Sequence, residues 1–196
     1  MTRGRPMNFN PEQALSAAMH AFWAQGYQSA STQALLTAMQ LSRSSLYQTF
    51  GSKEALFIEA LSRYRTTLLR NLEKRLDDAM SARRFLETLF HDTAADAGSE
   101  RAAWGCLIFN SANELGHQNN LPSRHARQSV TAITDLFQHA VEQAQQEGDI
   151  DPEHNARSLA LYLTMGMAGL RTLLKNGATA EEAHASVTLL FTSVFR

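Results

Sequence analysis

Apolar residues recur three and four positions apart along almost the whole chain, and strict alternation of apolar and polar residues is rare. The first spacing is that of an amphipathic α-helix, so the pattern predicts an all-α fold of about nine helices. Asn10, Ser31, Ser42 and Ser52 each stand just before an apolar-periodic segment, where a side-chain oxygen caps a helix. The first four helices are therefore expected to begin at these residues.

The later helices are longer, and glycine-containing turns separate them. They are expected at about residues 52–76, 81–97, 103–115, 121–147, 151–176 and 179–195. Asp151 followed by Pro152 predicts the start of the penultimate helix, because proline suits the first helical position. The helix at 52–76 joins the short N-terminal helices to the longer ones.

Composition places the chain among compact proteins. It has 196 residues, of which 44% are hydrophobic, and that is enough to bury a core. The sequence shows neither an apolar run near the roughly 18 residues of a membrane span nor a signal-peptide pattern. Its single cysteine, Cys106, excludes a disulfide within the chain. We therefore expect a cytoplasmic protein.

Charge is divided unevenly along the chain, although the net charge is only −1. Residues 1–75 contain nine Lys and Arg but four Asp and Glu, a balance of +5. The remainder holds 9 basic and 15 acidic residues, a balance of −6. Such asymmetry indicates an N-terminal region that faces a polyanion and a separate acidic body. The alternative is a set of solvated helix faces with uneven charge.

The segment Leu41–Phe57, LSRSSLYQTFGSKEALF, points to that polyanion. One helix in it opens with three serines and an arginine and continues with Leu46, Tyr47 and Phe50 at helical spacing. With the short helix before it, this matches a helix-turn-helix, whose second helix puts its N-terminal side chains against base edges while the first crosses the phosphate backbone. Arginine and serine both hydrogen-bond to base edges in the major groove. The alternative is a serine-rich cap on an ordinary surface helix.

Further DNA contacts are expected on both sides of this motif. Lys53 stands at the start of a helix whose backbone amides form a phosphate site. The leading TRGRP has the composition of a minor-groove arm, with Arg3 and Arg5 flanking a glycine, and a basic tail without DNA contact is the alternative. The complete predicted DNA-binding set is Arg3, Arg5, Ser31, Thr32, Gln33, Ser42, Arg43, Ser44, Ser45, Tyr47, Gln48 and Lys53.

Residues 10–57 resemble the N-terminal domain of the tetracycline-repressor (TetR) family of bacterial transcription regulators. The motifs that carry the resemblance are FxxxGY at 22–27, LYxxF at 46–50 and SKExLF at 52–57. The family often has glycine where this chain has Gln40 and Ser44. The resemblance implies a homodimer that represses a nearby gene and leaves its DNA operator when a small molecule enters the C-terminal domain.

Three parts are therefore expected: a DNA-binding domain at 1–51, a connecting helix at 52–76, and a ligand-binding and dimerisation domain at 77–196. The resemblance implies a cavity among the fourth to eighth helices, with apolar walls and a few polar groups that suit a small, mostly apolar ligand. The predicted lining is Tyr64, Phe85, Leu89, Trp104, Cys106, Phe109, Asn110, Glu114, Phe137, Met165 and Met167. The alternative is that these aromatic and Met side chains only fill the core.

The last two predicted helices are expected to form the dimer interface, because they are apolar on more than one face. Two such helices, paired across a two-fold axis, would make a four-helix contact. The predicted interface residues are Ala160, Met167, Leu170, Leu174, Val187, Leu190, Phe191 and Val194.

The sequence contains no GxSxG elbow, phosphate loop, dinucleotide-binding glycine pattern or pair of histidines four residues apart. We therefore expect no enzymatic activity, no cofactor and no metal site. Cys106 leaves a second hypothesis open, in which the repressor senses oxidants or electrophiles through its thiol; the alternative is a packed, inert side chain. More remote alternatives are a helical ligand-binding protein without DNA binding and a helical enzyme with an unrecognised site.

Overall fold

The computed structural model describes residues 9–195, and every regular element in that range is an α-helix. The helices are α1 (Pro11–Gln25), α2 (Thr32–Met39), α3 (Arg43–Phe50), α4 (Lys53–Asp77), α5 (Ala82–Ala95), α6 (Glu100–Trp104), α7 (Leu107–Leu115), α8 (Leu121–Gln146), α9 (Ala156–Lys175) and α10 (Ala180–Val194). The predicted all-α class is confirmed.

Side-chain caps fix the starts of the first four helices. The Asn10 side chain accepts hydrogen bonds from the amides of Glu12 and Gln13. Ser31, Ser42 and Ser52 precede α2, α3 and α4, and each hydroxyl accepts from the amide three residues later. These amides have no partner inside their helices, so each cap stabilises its helix by about 1 kcal/mol. The predicted starts are confirmed.

Helices α1–α3 pack with the start of α4 as a small unit. Phe22 of α1 is almost fully buried, and its ring meets that of Phe57 of α4 edge-on at 5.2 Å. Leu46 and Phe50 of α3 face the same core. In the turn between α2 and α3, Gln40 adopts the left-handed conformation (φ 55°, ψ 40°) that glycine usually fills. The turn therefore forms without a glycine.

Helix α4 is continuous and belongs to both parts of the molecule. It packs against α1 and α3 and also against α5, α7 and α8. Leu72 and Leu76, near its C-terminal end, are buried in the body. The centre of the body is aromatic, since the Phe90 ring meets the rings of Phe137 and Phe191. Within residues 9–195, no helix has the length and apolar character to cross a membrane.

The helix predicted at about 103–115 is divided in two. Helix α6 ends at Trp104 and α7 begins at Leu107, because Gly105 between them has φ 68° and ψ −147°. A side chain disfavours this backbone conformation. The break places Cys106 at the N-cap of α7 and adds one helix to the expected number.

The predicted helix start at Asp151 is wrong. Asn155 caps α9 by accepting from the amide of Ser158. Residues 151–154 form a turn instead, in which the Asp151 side chain accepts from the Glu153 amide. The side chain of Gln145 donates to the carbonyls of residues 151 and 154, so the end of α8 holds this turn outside the next helix.

We expect Gly105→Ala to lower the free energy of unfolding by about 1–3 kcal/mol, because an L-residue is strained at this φ. An ideal Cβ there would also lie 3.3 Å from Asn110 Oδ1 and 3.4 Å from Lys175 Cδ. Gly148→Ala is the matched control, since Gly148 also has a positive φ but open space around its Cα. Chemical denaturation of both variants measures the free energy of unfolding. An equal decrease in the two variants would exclude a contribution from the crowding of the added Cβ at Gly105.

Candidate nucleic-acid interface and cavity

The first turn of α3 combines a cap with an open polar face. The Ser42 hydroxyl lies 3.1 Å from the Ser45 amide and 2.9 Å from the hydroxyls of Ser44 and Ser45, so it is engaged within the turn. Arg43, Ser44, Tyr47 and Gln48 are exposed, and their spacing places them on one side of the helix. The open face is therefore Arg43, Ser44, Tyr47 and Gln48, and we call it the α3 face.

The other predicted contacts are accessible to different degrees. Ser31 caps α2 and Gln33 beside it is exposed, whereas Thr32 is half-buried. The N-terminus of α2 thus presents a hydroxyl and backbone amides, the groups that bind phosphate at helix ends. Arg3 and Arg5 lie outside the described residues, so the predicted minor-groove arm stays a prediction.

The Lys53 side chain contacts the corner between α1 and α2. Its Nζ donates to the Gln28 carbonyl at 3.3 Å and lies 4.9 Å from the centroid of the Tyr27 ring. Burial lowers the pKa of Lys53, and the nearby Glu114 carboxylate opposes that shift. The predicted contact between Lys53 and a phosphate is not tested by this geometry and stays a prediction.

A cavity of about 50 Å³ lies among α4, α5, α7, α8 and α9. Its walls are mainly aliphatic and aromatic side chains. The lining is Tyr64, Leu68, Leu72, Leu89, Thr93, Arg101, Gly105, Cys106, Phe109, Ile133, Phe137, Met167 and Arg171. Tyr64, Leu89, Cys106, Phe109, Phe137 and Met167 are thus where the sequence placed them, around a cavity in the body.

One hydroxyl and one thiol meet at the cavity wall. Tyr64 Oη donates to Cys106 Sγ at 3.8 Å. Burial raises the pKa of Tyr64 well above its usual value, and the Cys106 thiol raises it further. The phenol is therefore protonated at neutral pH and can donate a hydrogen bond.

Two arginines share one carboxylate beside the cavity. Arg171 Nη1 lies 3.3 Å from Asp96 Oδ2, and Arg101 Nε lies 3.9 Å from the same oxygen. Arg171 also donates to the Thr93 hydroxyl at 3.4 Å. Two guanidinium groups against one carboxylate leave positive charge at this side of the cavity.

Five other predicted side chains lie outside the lining of this cavity. Phe85 is buried in the core, and the Asn110 side chain donates to the Trp104 carbonyl at 2.8 Å. Met165 is 63% exposed on the outside of α9. Trp104 and Glu114 instead contact the small unit of α1–α3 and the start of α4. We call it the DNA-binding unit, because the sequence predicts DNA contacts there. The misplaced residues are Phe85, Trp104, Asn110, Glu114 and Met165.

Several residues that were not predicted from the sequence also line the cavity. The missed residues are Leu68, Leu72, Thr93, Arg101, Gly105, Ile133 and Arg171. Leu68 and Leu72 continue the i, i+4 stripe that starts at Tyr64, so the helical period could have found them. The arginines gave no such signal, because a charged residue on a helix is ordinarily solvated.

An aromatic cluster connects α1 with the cavity wall. Trp23 of α1 meets the ring of Tyr64 at 5.0 Å and that of Trp104 at 5.5 Å, both edge-on. This geometry is favourable for aromatic pairs. Since Tyr64 also lines the cavity, the α1 helix of the DNA-binding unit rests directly on a cavity residue. We call Trp23, Tyr64 and Trp104 the aromatic joint.

Most of the residues predicted for the dimer interface are buried by contacts within one protomer. Ala160, Met167, Leu170, Leu174, Val187, Phe191 and Val194 are buried within it. Leu190 is half-buried, and an ideal Cβ on Gly166 would lie only 2.1 Å from its Cδ1, so it packs at the crossing of α9 and α10. These eight residues therefore pack α9 and α10 onto the body, which corrects the prediction.

The exposed surfaces of the same two helices carry other apolar residues. Leu161, Met165 and Leu173 of α9 are 53%, 63% and 48% exposed, and Leu189 of α10 is 71% exposed. The three α9 residues are four and eight positions apart, so they lie on one face. We call these four residues the α9–α10 face.

Histidines come together at one place in the body. The Nδ1 atoms of His91 and His184 are 2.9 Å apart, and their rings stack at 5.1 Å. Among residues 9–195, no group of three or more His, Cys, Asp or Glu could hold a metal ion.

Two family models match the sequence. One is described as "Bacterial regulatory proteins, tetR family" and covers residues 14–60. The other is described as "Tetracyclin repressor-like, C-terminal domain" and covers residues 82–188. The first match includes the α3 face and the second includes most of the cavity.

Individual proteins are similar over nearly the full length. The HTH-type transcriptional repressor ComR of Escherichia coli (strain K12) is 31% identical over 187 residues, which is 92% of this chain and 87% of ComR. The uncharacterized HTH-type transcriptional regulator YezE of Bacillus subtilis (strain 168) is 29% identical over 190 residues, 95% of this chain and 97% of YezE. A cysteine mutant of the TetR family regulator CifR, complexed with 26bp double-strand operator DNA, superposes with a TM-score of 0.83 at 30% identity, covering 97% of this chain and 100% of that one.

We expect Arg43→Ala to weaken binding to a specific DNA site by about 1–3 kcal/mol and to relax base preference at one position in each half-site. The reason is that Arg43 leads the exposed α3 face. Fluorescence anisotropy on specific and random duplexes measures both effects. Lys53→Ala is the comparison and should weaken binding to both duplexes alike. An equal loss on both duplexes for Arg43→Ala would exclude Arg43 from reading bases.

Proposed function

Because this chain belongs to the tetR family of bacterial regulatory proteins, we propose that it is a transcriptional repressor that binds a palindromic operator as a homodimer. The family consists of transcription regulators rather than enzymes. The observation that carries the proposal is the exposed α3 face, which lies at the start of the second helix of a helix-turn-helix. The similarity to CifR in its operator complex supports it.

We further propose that a small molecule in the cavity releases the protein from DNA. The cavity of about 50 Å³ is far smaller than the roughly 300–1,000 Å³ of typical ligand pockets. A larger effector can enter only if the surrounding helices move apart. Because α4 and the aromatic joint connect these helices with the DNA-binding unit, such a movement would change the position of α3. The ligand acts through its preference for the released conformation.

The lining suggests the chemistry of the effector. Leu89, Phe109 and Phe137 provide apolar walls, and the Tyr64 hydroxyl provides a hydrogen-bond donor. Arg171 provides positive charge at the side of the cavity. A small, mostly apolar molecule with one hydrogen-bond acceptor fits this arrangement.

The parts of the chain follow from the same proposal. Residues 1–51 would bind DNA, residues 52–76 would connect the two parts, and residues 77–196 would bind the effector and the second protomer. Two separate family matches, at 14–60 and 82–188, support a division into an N-terminal and a C-terminal part. We place the protein in the cytoplasm, where the operator would be.

In vitro selection from random double-stranded DNA tests the repressor proposal. We expect the recovered sites to be pseudo-palindromes whose half-sites lie about one helical turn, roughly 34–36 Å, apart or a multiple of it. The apparent affinity should fall steeply with salt, because the contacts to phosphate release counterions. Recovery of no common sequence, with weak binding to all DNA, would contradict the proposal.

We assign the dimer contact to the α9–α10 face. Four large apolar side chains that are about half or more exposed are unusual on a solvated helix pair, and a two-fold axis would cover them with their own copies. Small residues favour close approach at the same place, since Gly169 is exposed among them. The predicted α9 and α10 pairing is thus kept, with different residues at the contact.

Leu189→Asp should convert the dimer into a folded monomer, because the charge would have to be buried without a partner in the dimer but stays solvated in the protomer. Met80→Asp is the control, since Met80 is 96% exposed at the turn after α4 and is not one of the four residues of this face. Analytical ultracentrifugation distinguishes the outcomes. A Leu189→Asp protein that remains a dimer would place the contact elsewhere.

A second candidate function is sensing of electrophiles through Cys106. The observation that favours it is the position of the thiol, which lines the cavity, accepts from Tyr64 and makes no side-chain cap to α7. An electrophile in the cavity would therefore reach the sulfur directly. The alternative is that Cys106, which is 6% exposed, is a packed and inert side chain.

Cys106→Ser separates these two readings. If Cys106 senses electrophiles, N-ethylmaleimide should release the parent protein from its operator, because the thioether that forms does not fit the cavity. The serine variant, which has no other cysteine, should stay bound under the same treatment. Gel-shift assays with mass analysis of the adduct provide the measurement. Identical behaviour of the two proteins would leave Cys106 as a packed side chain.

A further inference from the structure

The Glu114 carboxylate binds the backbone of the DNA-binding unit. Its Oε2 accepts a hydrogen bond from the Tyr27 amide at 2.9 Å, and its Oε1 accepts one from the Gln28 amide at 2.7 Å. Glu114 stands near the C-terminal end of α7, whereas Tyr27 and Gln28 form the corner between α1 and α2. Each oxygen therefore holds one of two successive amides across 86 and 87 residues of sequence.

The corner is shaped to receive this carboxylate. Gly26 has φ +80°, and an ideal Cβ at this position would lie 2.9 Å from Glu114 Oε2 and 3.2 Å from Glu114 Oε1. A side chain at Gly26 would therefore displace the carboxylate. Successive amides that point to one side make an anion-binding concavity, and hydrogen bonds to a charged acceptor are stronger than neutral ones. The site is thus filled by an anion from the protein itself.

Charged and aromatic neighbours surround the contact. Lys53 Nζ donates to the Gln28 carbonyl, and the Tyr27 ring packs on Phe57 of α4 at 4.6 Å. Burial raises the pKa of Tyr27, and the carboxylates of Glu54 and Glu114 raise it further. The corner, α4 and α7 therefore meet at one small polar cluster.

We propose that Glu114 is a positioning residue for operator binding, which fixes the angle of the helix-turn-helix unit on the body. This inference rests on the proposed function, because the angle matters only when two units of a dimer must match two half-sites. Without the carboxylate, the DNA-binding unit keeps its own core and its connection through α4, but α7 no longer holds the α1–α2 corner. The unit should then reach half-sites at more than one spacing.

The test compares two duplexes selected on the parent protein: the operator, and the same operator lengthened between its half-sites by about one base pair. The variant is Glu114→Gln, which keeps the size but puts an amide nitrogen where one oxygen accepted. Glu59→Gln, at an exposed carboxylate of α4, is the matched control for charge. The measured quantity is the dissociation constant for the lengthened duplex divided by that for the operator. A loss of folded protein would raise both constants alike and leave this ratio unchanged.

We expect the ratio to fall by roughly threefold to tenfold in Glu114→Gln and to stay unchanged in Glu59→Gln. An unchanged ratio in Glu114→Gln, or an equal loss of affinity for both duplexes, would overturn the positioning role. Failure of the parent protein to select any operator would instead contradict the proposed function.

Hydrogen exchange gives a readout that does not depend on DNA. The amides of Tyr27 and Gln28 should exchange slowly in the parent and in Glu59→Gln and much faster in Glu114→Gln, while the amides inside α1 and α3 keep their protection. Equal exchange at residues 27 and 28 in all three proteins would show that the carboxylate does not hold the corner, whatever the outcome with DNA.

Discussion

The shared burial of α4 is the constraint on which the rest of the structure depends. Phe57 and Leu61 of this helix close the core under the helix-turn-helix, whereas Leu72 and Leu76 are buried in the body. Between these two ends, Tyr64 and Leu68 line the cavity. One rigid helix thus has its apolar side divided among a DNA-binding core, a cavity wall and a body core. A change at the cavity that moves α4 would therefore also move the DNA-binding unit.

Two further contacts stiffen this connection. The aromatic joint sets α1 on Tyr64, and the Glu114 carboxylate holds the α1–α2 corner to α7. Helix α7 begins beside Cys106 at the cavity and ends at this corner, so both of its ends touch functional regions. The DNA-binding unit is therefore held by α4, by ring packing and by the hydrogen bonds of one carboxylate to two backbone amides. A shift of α7 at the cavity would act directly on the last of these contacts.

Local signals in the sequence predicted those features of the fold that depend on residues close together in the chain. The caps at Asn10, Ser31, Ser42 and Ser52 are short-range. The helix-turn-helix followed from the two short helices that they begin and from the LYxxF and SKExLF motifs. Local signals misled at Asp151, where a cap with proline is present but the Gln145 side chain holds the residues in a turn. The break at Gly105 depends on a backbone conformation that spacing does not reveal.

Long-range contacts could not be read from the pattern. Helix α9 is apolar on several sides, so its period does not tell whether Met165 or Met167 faces inward. The partners of Glu114 lie 86 and 87 residues away, and a lone glutamate on a helix gives no sign of them.

If a ligand in the cavity releases the protein from DNA as proposed, the state of the cavity sets the position of the DNA-binding units. The most direct measurement is the distance between spin labels in the dimer, with one label per protomer at Gln13→Cys on the exposed side of α1 in a Cys106→Ser background. Phe109→Trp fills part of the cavity without an effector. We expect this substitution to shift the mean distance by roughly 2 Å or more. An unchanged distance distribution with a filled cavity would contradict it.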